Sequence, residues 1–213
     1  CDLDPILKFT KKNKIFLIED CSQAHGAIYK NKKVGSFGDI STWSFCQDKI
    51  ISTGGEGGMI STNSKKLWLK IWSYKDHGKN YKNVFYKKHK NGFRWLHDNL
   101  GSNYRMTEMQ AVIGREQLKS LDQQIKKRNL IANLYLNGLK NFYQKYDIIK
   151  KPEFKCETCP LKSNIKKCNK CKHSFYRLNL YLNEKKIDQI NLMKQFNKNK
   201  IKCKVGSCPE IYR

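Results

Sequence analysis

The chain has 213 residues, 39% of them hydrophobic, and a formal charge of +25 from 43 Lys and Arg against 18 Asp and Glu. That length accommodates one large domain or two small ones, and no run approaches the roughly 18 apolar residues of a membrane-spanning helix. The lysines are scattered rather than gathered on one face or interleaved with aromatics, which argues for charged solvated surfaces over a nucleic-acid or membrane footprint.

Taken in chain order, "DPILKFTKKN" reads as a short helix with Asp4 as N-cap and Pro5 at its first position. "KIFLIED" is an apolar run ending in acids, as expected of a buried parallel strand. Two further strands are expected at "DISTWSF" and "GMISTN", then a helix in "SKKLWLKIWSY" with Ser64 as cap and Leu67, Ile71 and Tyr74 on one stripe. Residues 75–102 show no clean period, and long irregular segments in compact domains tend to be functional or mobile. From Asn103 to Leu139 the pattern is helical, with Met106, Met109 and Ile113 expected in the core and Leu118, Leu121 and Ile125 continuing the stripe after a bend near Asp122. A strand at 175–182 and a helix in "EKKIDQINLMKQFNKN" close the reading.

Strands alternating with helices, then a helical connector and a strand–helix piece, imply an α/β domain followed by a smaller α+β domain, with the boundary near residue 120. The opening "CDLDPIL" lacks an initiator Met and the close "SCPEIYR" has no tail, so the chain reads as an internal piece of a longer protein.

"FCQDKIISTGGEGG" sets one lysine, Lys49, ahead of four glycines and a single glutamate. Ordering so much glycine costs entropy, so something must approach the main chain closely there: a phosphate, a cofactor ring, or a tight turn. Ligands of parallel sheets sit at the carboxyl ends of the strands. Asp20 ends the first strand, Ser44 lies near the end of the second, and Lys49 follows in the next loop. A carboxylate, a hydroxyl and a lysine on one sheet edge match the needs of pyridoxal phosphate: an acid for the ring nitrogen, hydroxyls for the phosphate and an amine for the aldehyde.

The blocks "EDCSQAHGA", "GSFGDISTWSF", "SFCQDKIISTGGEGGM", "DHGK" and "GSNYRMTEMQAVIGREQL", in that order, together resemble the DegT/DnrJ/StrS family of fold-type I aminotransferases acting on nucleotide-linked keto sugars. The likeness runs from residue 1 to about 150 and resumes at "KHSFYRLNLYL". It implies an aspartate-aminotransferase-like α/β large domain, present here as its C-terminal part over residues 1–120, and a small α+β domain over 121–213. It also implies that Lys49 binds the cofactor and then moves the proton in a ping-pong transamination from L-glutamate. Asp20 would pair with the pyridine nitrogen, Gln23 with the cofactor's 3-oxygen and Ser44 with its phosphate. Asn103 would reach the phosphate of the other subunit in a cytoplasmic homodimer with shared sites, and His77 and Arg105 would contact substrate. Relatives that dehydrate the sugar carry histidine in place of the lysine, so Lys49 favours transamination over dehydration. The first strands, a Ser/Thr-type phosphate loop and a stacking aromatic expected of the family's N-terminal half are absent from these residues.

The remaining motif is "KCETCPLKSNIKKCNKCKH" (155–173), within an insert at 153–173, where Cys156, Cys159, Cys168 and Cys171 form two C-x-x-C pairs. Thiolate pairs at that spacing suit one tetrahedral zinc, a structural clip, better than a disulfide framework, and together with the α/β pattern they argue for a reducing cytoplasm. A zinc ribbon on a basic nucleic-acid-binding protein is the rival reading, but it leaves Asp20, Ser44, Lys49 and the glycine loop without a purpose.

Overall fold

The computed structural model describes residues 1–92, 94–144, 147, 149–150, 170–183 and 185–203. The chain divides into two units, Cys1–Ile131 with Lys155–Tyr176, and Ala132–Phe154 with Arg177–Arg213. The division falls later along the same long helix than residue 120.

The first unit opens with α1 (Leu3–Lys12), whose N-cap is Asp2 rather than Asp4: the Asp2 carboxylate accepts from the Asp4 N–H. Pro5 thereby moves deeper into the first turn, where a missing N–H still breaks no intrahelical bond. Asp4 instead pairs with Lys30. β1 (Ile18–Asp20) is shorter than its apolar run and, among the described residues, pairs only with β4 (Ile40–Ser44), in parallel. Phe16, ahead of the strand, and Ile18 within it are exposed, where burial is expected from the sequence. β5 (Gly58–Ser61) continues the sheet antiparallel to β4.

Between β1 and β4, the two-residue strands β2 (Ile28–Tyr29) and β3 (Lys32–Lys33) form a hairpin. α2 (Lys65–Lys75) follows β5, with Ser64 capping it by accepting from Leu67 N–H. Leu67 and Ile71 are half-buried, whereas Tyr74, the third member of the expected stripe, is exposed and stacks on Tyr104.

Residues 75–102 are less irregular than their sequence. α3 (Tyr81–Phe85) is capped by Asn80 and held on α2 by aromatic contacts. Tyr81 lies edge-on to Trp68 at 5.1 Å and to Trp72 at 4.9 Å, and Phe85 adds a ring 5.8 Å from Trp72. α4 (Glu108–Gly138) then runs as one helix. Its core contacts come from Leu121 and Ile125, which pack with Ile50 and Tyr176. Met106 is half-buried, but Met109 is 77% exposed and no core residue.

In the second unit, α5 (Lys140–Gln144) precedes β6 (Ile149–Lys150), which pairs antiparallel with β7 (Tyr181–Leu182). The strand expected over 175–182 is confined to these last two residues. α6 (Gln189–Lys198) begins at Asp188, whose carboxylate accepts from Ile190 and Asn191 N–H. Among the described residues no helix is long and apolar enough to cross a membrane.

Candidate functional site

The register Asp20↔Thr42 in the parallel β1–β4 pair puts the carboxyl ends of both strands on one edge of the sheet. Asp20 stands at the end of β1 and Ser44 at the end of β4, as the sequence implies. The chain then turns: Lys49 N–H donates to Cys46 carbonyl at 3.0 Å, while Phe45 N–H donates to Gly57 carbonyl at 2.7 Å and Thr53 N–H to Phe45 carbonyl at 3.2 Å. Ile50, Ile51 and Thr53 are buried, so the turn carrying Lys49 is nailed to the core on its downstream side.

The glycines have a local cause. Gly54 sits at φ +82°, in the left-handed region. At Gly57 a Cβ would meet the Thr53 hydroxyl at 2.2 Å, which no side chain tolerates. Glu56 closes the loop: its carbonyl accepts from Thr53 Oγ1 at 3.1 Å and from Gln110 Nε2 on α4 at 2.8 Å, and its carboxylate accepts from Cys46 Sγ.

Lys49 is mostly shielded, with a side chain 16% exposed, and its Nζ lies 3.6 Å from Asp48 Oδ1. Asp20 is exposed and accepts from Ser22 N–H at 3.0 Å. The bonds from Ser22 and, more weakly, the charge of Lys49 hold its carboxyl below the usual carboxylate range against a small cost of burial. Asp20 thus both caps the following turn and stays ionised beside a lysine. Behind the edge, His25 is buried between Trp43 and Phe45, ring centroids 5.5 and 5.9 Å away. Gln23 is exposed, and its carbonyl accepts from Ser174 Oγ at 3.1 Å.

His77, Asn103 and Arg105 form a second group. Asp76 and Asn103 bridge in antiparallel fashion, and His77 N–H donates to Ser102 carbonyl at 3.1 Å. Arg105 Nε donates to Asn103 Oδ1 at 3.0 Å, and its Nη2 lies 3.4 Å from His77 Nε2. Asp76 Oδ1 is 3.6 Å from Arg105 Nη1 and 3.1 Å from Lys79 Nζ. Burial works against the Asp76 charge, yet the bond and charge of Lys79, with Arg105 and Lys75, hold its carboxyl low. Two residues that the sequence reading passed over join this group: Asp76, and His97, whose Nδ1 lies 2.7 Å from His77 carbonyl. The "DHGK" block was the available signal for Asp76, while nothing in the pattern around His97 marked it.

Of the cysteine cluster, Cys156, Cys159 and Cys168 lie outside the described residues. Cys171 is half-buried, and its sulfur accepts from Lys30 N–H at 3.3 Å. The strand bridge Ile28↔Lys172 and the bond from Asn31 N–H to Lys170 carbonyl fasten this end of the insert to the β2–β3 hairpin. Among the described residues no group of three or more His, Cys, Asp or Glu is placed to hold a metal.

Residues 1–209 match the DegT/DnrJ/EryC1/StrS aminotransferase family. The chain is 40% identical over 144 residues to GDP-perosamine synthase of Escherichia coli O157:H7, covering 68% of this chain and 36% of that protein. The X-ray structure of an aminotransferase from Psychrobacter cryohalolentis superposes with a TM-score of 0.87 at 40% identity, covering all of this chain and 52% of the other. E. coli GDP-4-keto-6-deoxy-D-mannose-3-dehydratase, solved with bound hydrated PLP, shares the fold at 22% identity and a TM-score of 0.74, over 96% of this chain and 49% of its own. The chain thus spans about half the length, or less, of the relatives it matches. The extended match in sequence and the superposition with a fold-type I aminotransferase make this chain a member of the DegT/DnrJ/EryC1/StrS aminotransferase family.

Proposed function

We propose that the chain belongs to an enzyme that uses pyridoxal phosphate to transfer an amino group from an amino acid, L-glutamate, to a nucleotide-linked keto sugar, giving an amino sugar for polysaccharide or glycan synthesis. The observation that carries this reading is that Asp20, held ionised mainly by its bonds from Ser22 and further by the charge of Lys49, ends one parallel strand while the shielded Lys49 lies in the loop that follows its neighbour. The donor set fits the cofactor. Asp20 would keep the ring nitrogen protonated, Gln23 would meet the 3-oxygen, and Ser44 would contribute to the phosphate. When bound, the cofactor supplies an electron sink for the donor's α-carbon.

The chain's own residues do the rest. Lys49 would hold the aldehyde, and once released its amine would take the proton from the donor's α-carbon as a positioned base and return it as an acid. The Arg105–His77–Asn103 group presents a cationic guanidinium suited to phosphate or carboxylate, so it is read as the substrate-facing group, with Asn103 serving a second subunit of a homodimer. Within the same reading, Cys156, Cys159, Cys168 and Cys171 would hold one structural zinc, which the spacing of the two C-x-x-C pairs supports. A reducing cytoplasm suits both the thiolates and a soluble nucleotide sugar.

The test is the visible absorption of the full-length protein supplied with pyridoxal phosphate. A lysine-bound cofactor band that is absent in Lys49→Ala, bleaches with L-glutamate and returns with a nucleotide-linked keto sugar is the expected result. No lysine-dependent band would overturn the reading, and zinc well below one equivalent in protein purified without chelator would remove the clip.

A further inference from the structure

Lys49 is held by its sequence neighbour Asp48 and by Tyr176, a residue 128 positions beyond Asp48. Its Nζ lies 5.1 Å from the ring centroid of Tyr176, within cation–π range, and 3.6 Å from Asp48 Oδ1. The other oxygen of the same carboxylate, Asp48 Oδ2, accepts from the Tyr176 hydroxyl. Ammonium, carboxylate and phenol therefore close a three-membered loop in which each group touches the other two.

The loop rests on fixed supports. Tyr176 is 9% exposed and packs on Ile50, Ile125 and Leu121. Its carbonyl and that of Phe175 accept from Arg128 Nη1 at 3.3 and 3.2 Å. The backbone of Lys49 is tied to Cys46, and Ile50 next to it is buried in the same cluster as Tyr176. A lysine side chain has many rotamers to lose, and an amine that must meet one carbon gains from being held in place beforehand. The charge of Lys49 also lowers the pKa of Asp20 and of His25.

We propose that Asp48 and Tyr176 are positioning residues for Lys49, the carboxylate and the ring together holding the free ammonium in a single location between rounds of amino transfer. This rests on the reading of Lys49 as the cofactor-bearing lysine. The hydroxyl of Tyr176 acts through Asp48, and its ring acts directly on the ammonium, so the two residues form one unit. Neither is asked to transfer a proton.

The test is acylation of the cofactor-free, full-length protein by a small amine-selective reagent at one neutral pH, read peptide by peptide in a mass spectrometer. The other lysines serve as internal standards. Tyr176→Phe keeps the ring and removes the anchor; Asp48→Asn keeps an acceptor for the phenol and removes the charge. Each is expected to raise the labelling rate of Lys49 about threefold or more over the other lysines. The double variant should gain less than the product of the two, because the pair acts as a unit. Unchanged Lys49 labelling overturns the proposal, and so does a rise shared by all lysines, which would report a loosened fold. In a Lys49→Ala background the same two substitutions should leave the affinity for pyridoxal phosphate within about twofold, since they act only through the lysine. If labelling behaves as expected while Lys49→Ala leaves the visible cofactor band intact, the cofactor reading falls and the positioning stands.

Discussion

Glu19 accepts a hydrogen bond at 2.6 Å from the backbone N–H of Gly38, across the connection between the two parallel strands of the site. The carboxylate is 8% exposed, and it also accepts from Phe37 N–H at 2.6 Å and Gly35 N–H at 2.8 Å. Three main-chain donors thus converge on one buried anion, which satisfies a segment that has no ladder of its own and locks it to the strand bearing Asp20. Glu19→Gln retains one acceptor oxygen and turns an NH2 group toward N–H donors. It is expected to cost about 2 kcal/mol or more, seen as a lower urea midpoint at unchanged slope.

Cys21 follows directly behind that edge and is fully buried. Burial first, and then the neighbouring charges of Glu19 and Asp20, push its thiol up to about 12. A thiol so disfavoured as thiolate is a poor nucleophile. Alkylation at neutral pH followed by peptide mass mapping should leave Cys21 unmodified in the folded protein and modify it in urea. Labelling of Cys21 at the rate of exposed Cys1 would contradict the packing.

The two strand ends and the turn at Lys49 were legible because their signals are local. Ser64 followed by an apolar stripe marks α2, and a lysine ahead of clustered glycines marks the turn. What escaped is non-local or too short for a period. The β2–β3 hairpin has two residues per strand, with two lysines in one of them, so no alternation exists to be read. Glu19 looks like one of two acids ending a strand; its role depends on where residues 35–38 fold back. The contact of Tyr176 with Asp48 joins residues 128 apart, and no periodicity reports it. Met109 was misread for the opposite reason: its position on the stripe is regular, but burial needs a partner surface as well as a pattern.

His25 provides a pH dependence. Burial lowers its pKa, the charge of Lys49 adds to this, and the Ser44 backbone works in the opposite sense. The unfolded chain, with His near its ordinary value of about 6.5, binds the proton more readily than the folded one. The stability linked to this group is therefore complete above that value and is lost as pH falls through it toward the lower folded value. His25→Phe, which suits a site between Trp43 and Phe45, should flatten that loss. Thermal midpoints compared between pH 8 and pH 5.5 read it out: the fall should be smaller in the variant, and equal falls would place the acid sensitivity elsewhere.

The aromatic seam between α2 and α3 sets how far residues 75–102 behave as an ordered piece. Tyr81 contacts Trp68, Trp72 and Phe85 at centroid separations of 4.7 to 5.1 Å, and also Tyr86 at 6.1 Å. α3 has five residues, too few to be stable by its own hydrogen bonds, so these ring contacts and the Asn80 cap must hold it. Tyr81→Ala deletes the ring that all of them share. The expected cost is about 2–4 kcal/mol against the folded segment, given the half-buried site. It should first appear as faster proteolysis and hydrogen exchange confined to the segment around Tyr81–Phe85. Asn80→Ala, which loses only the cap, should produce the same local signature at about 1 kcal/mol.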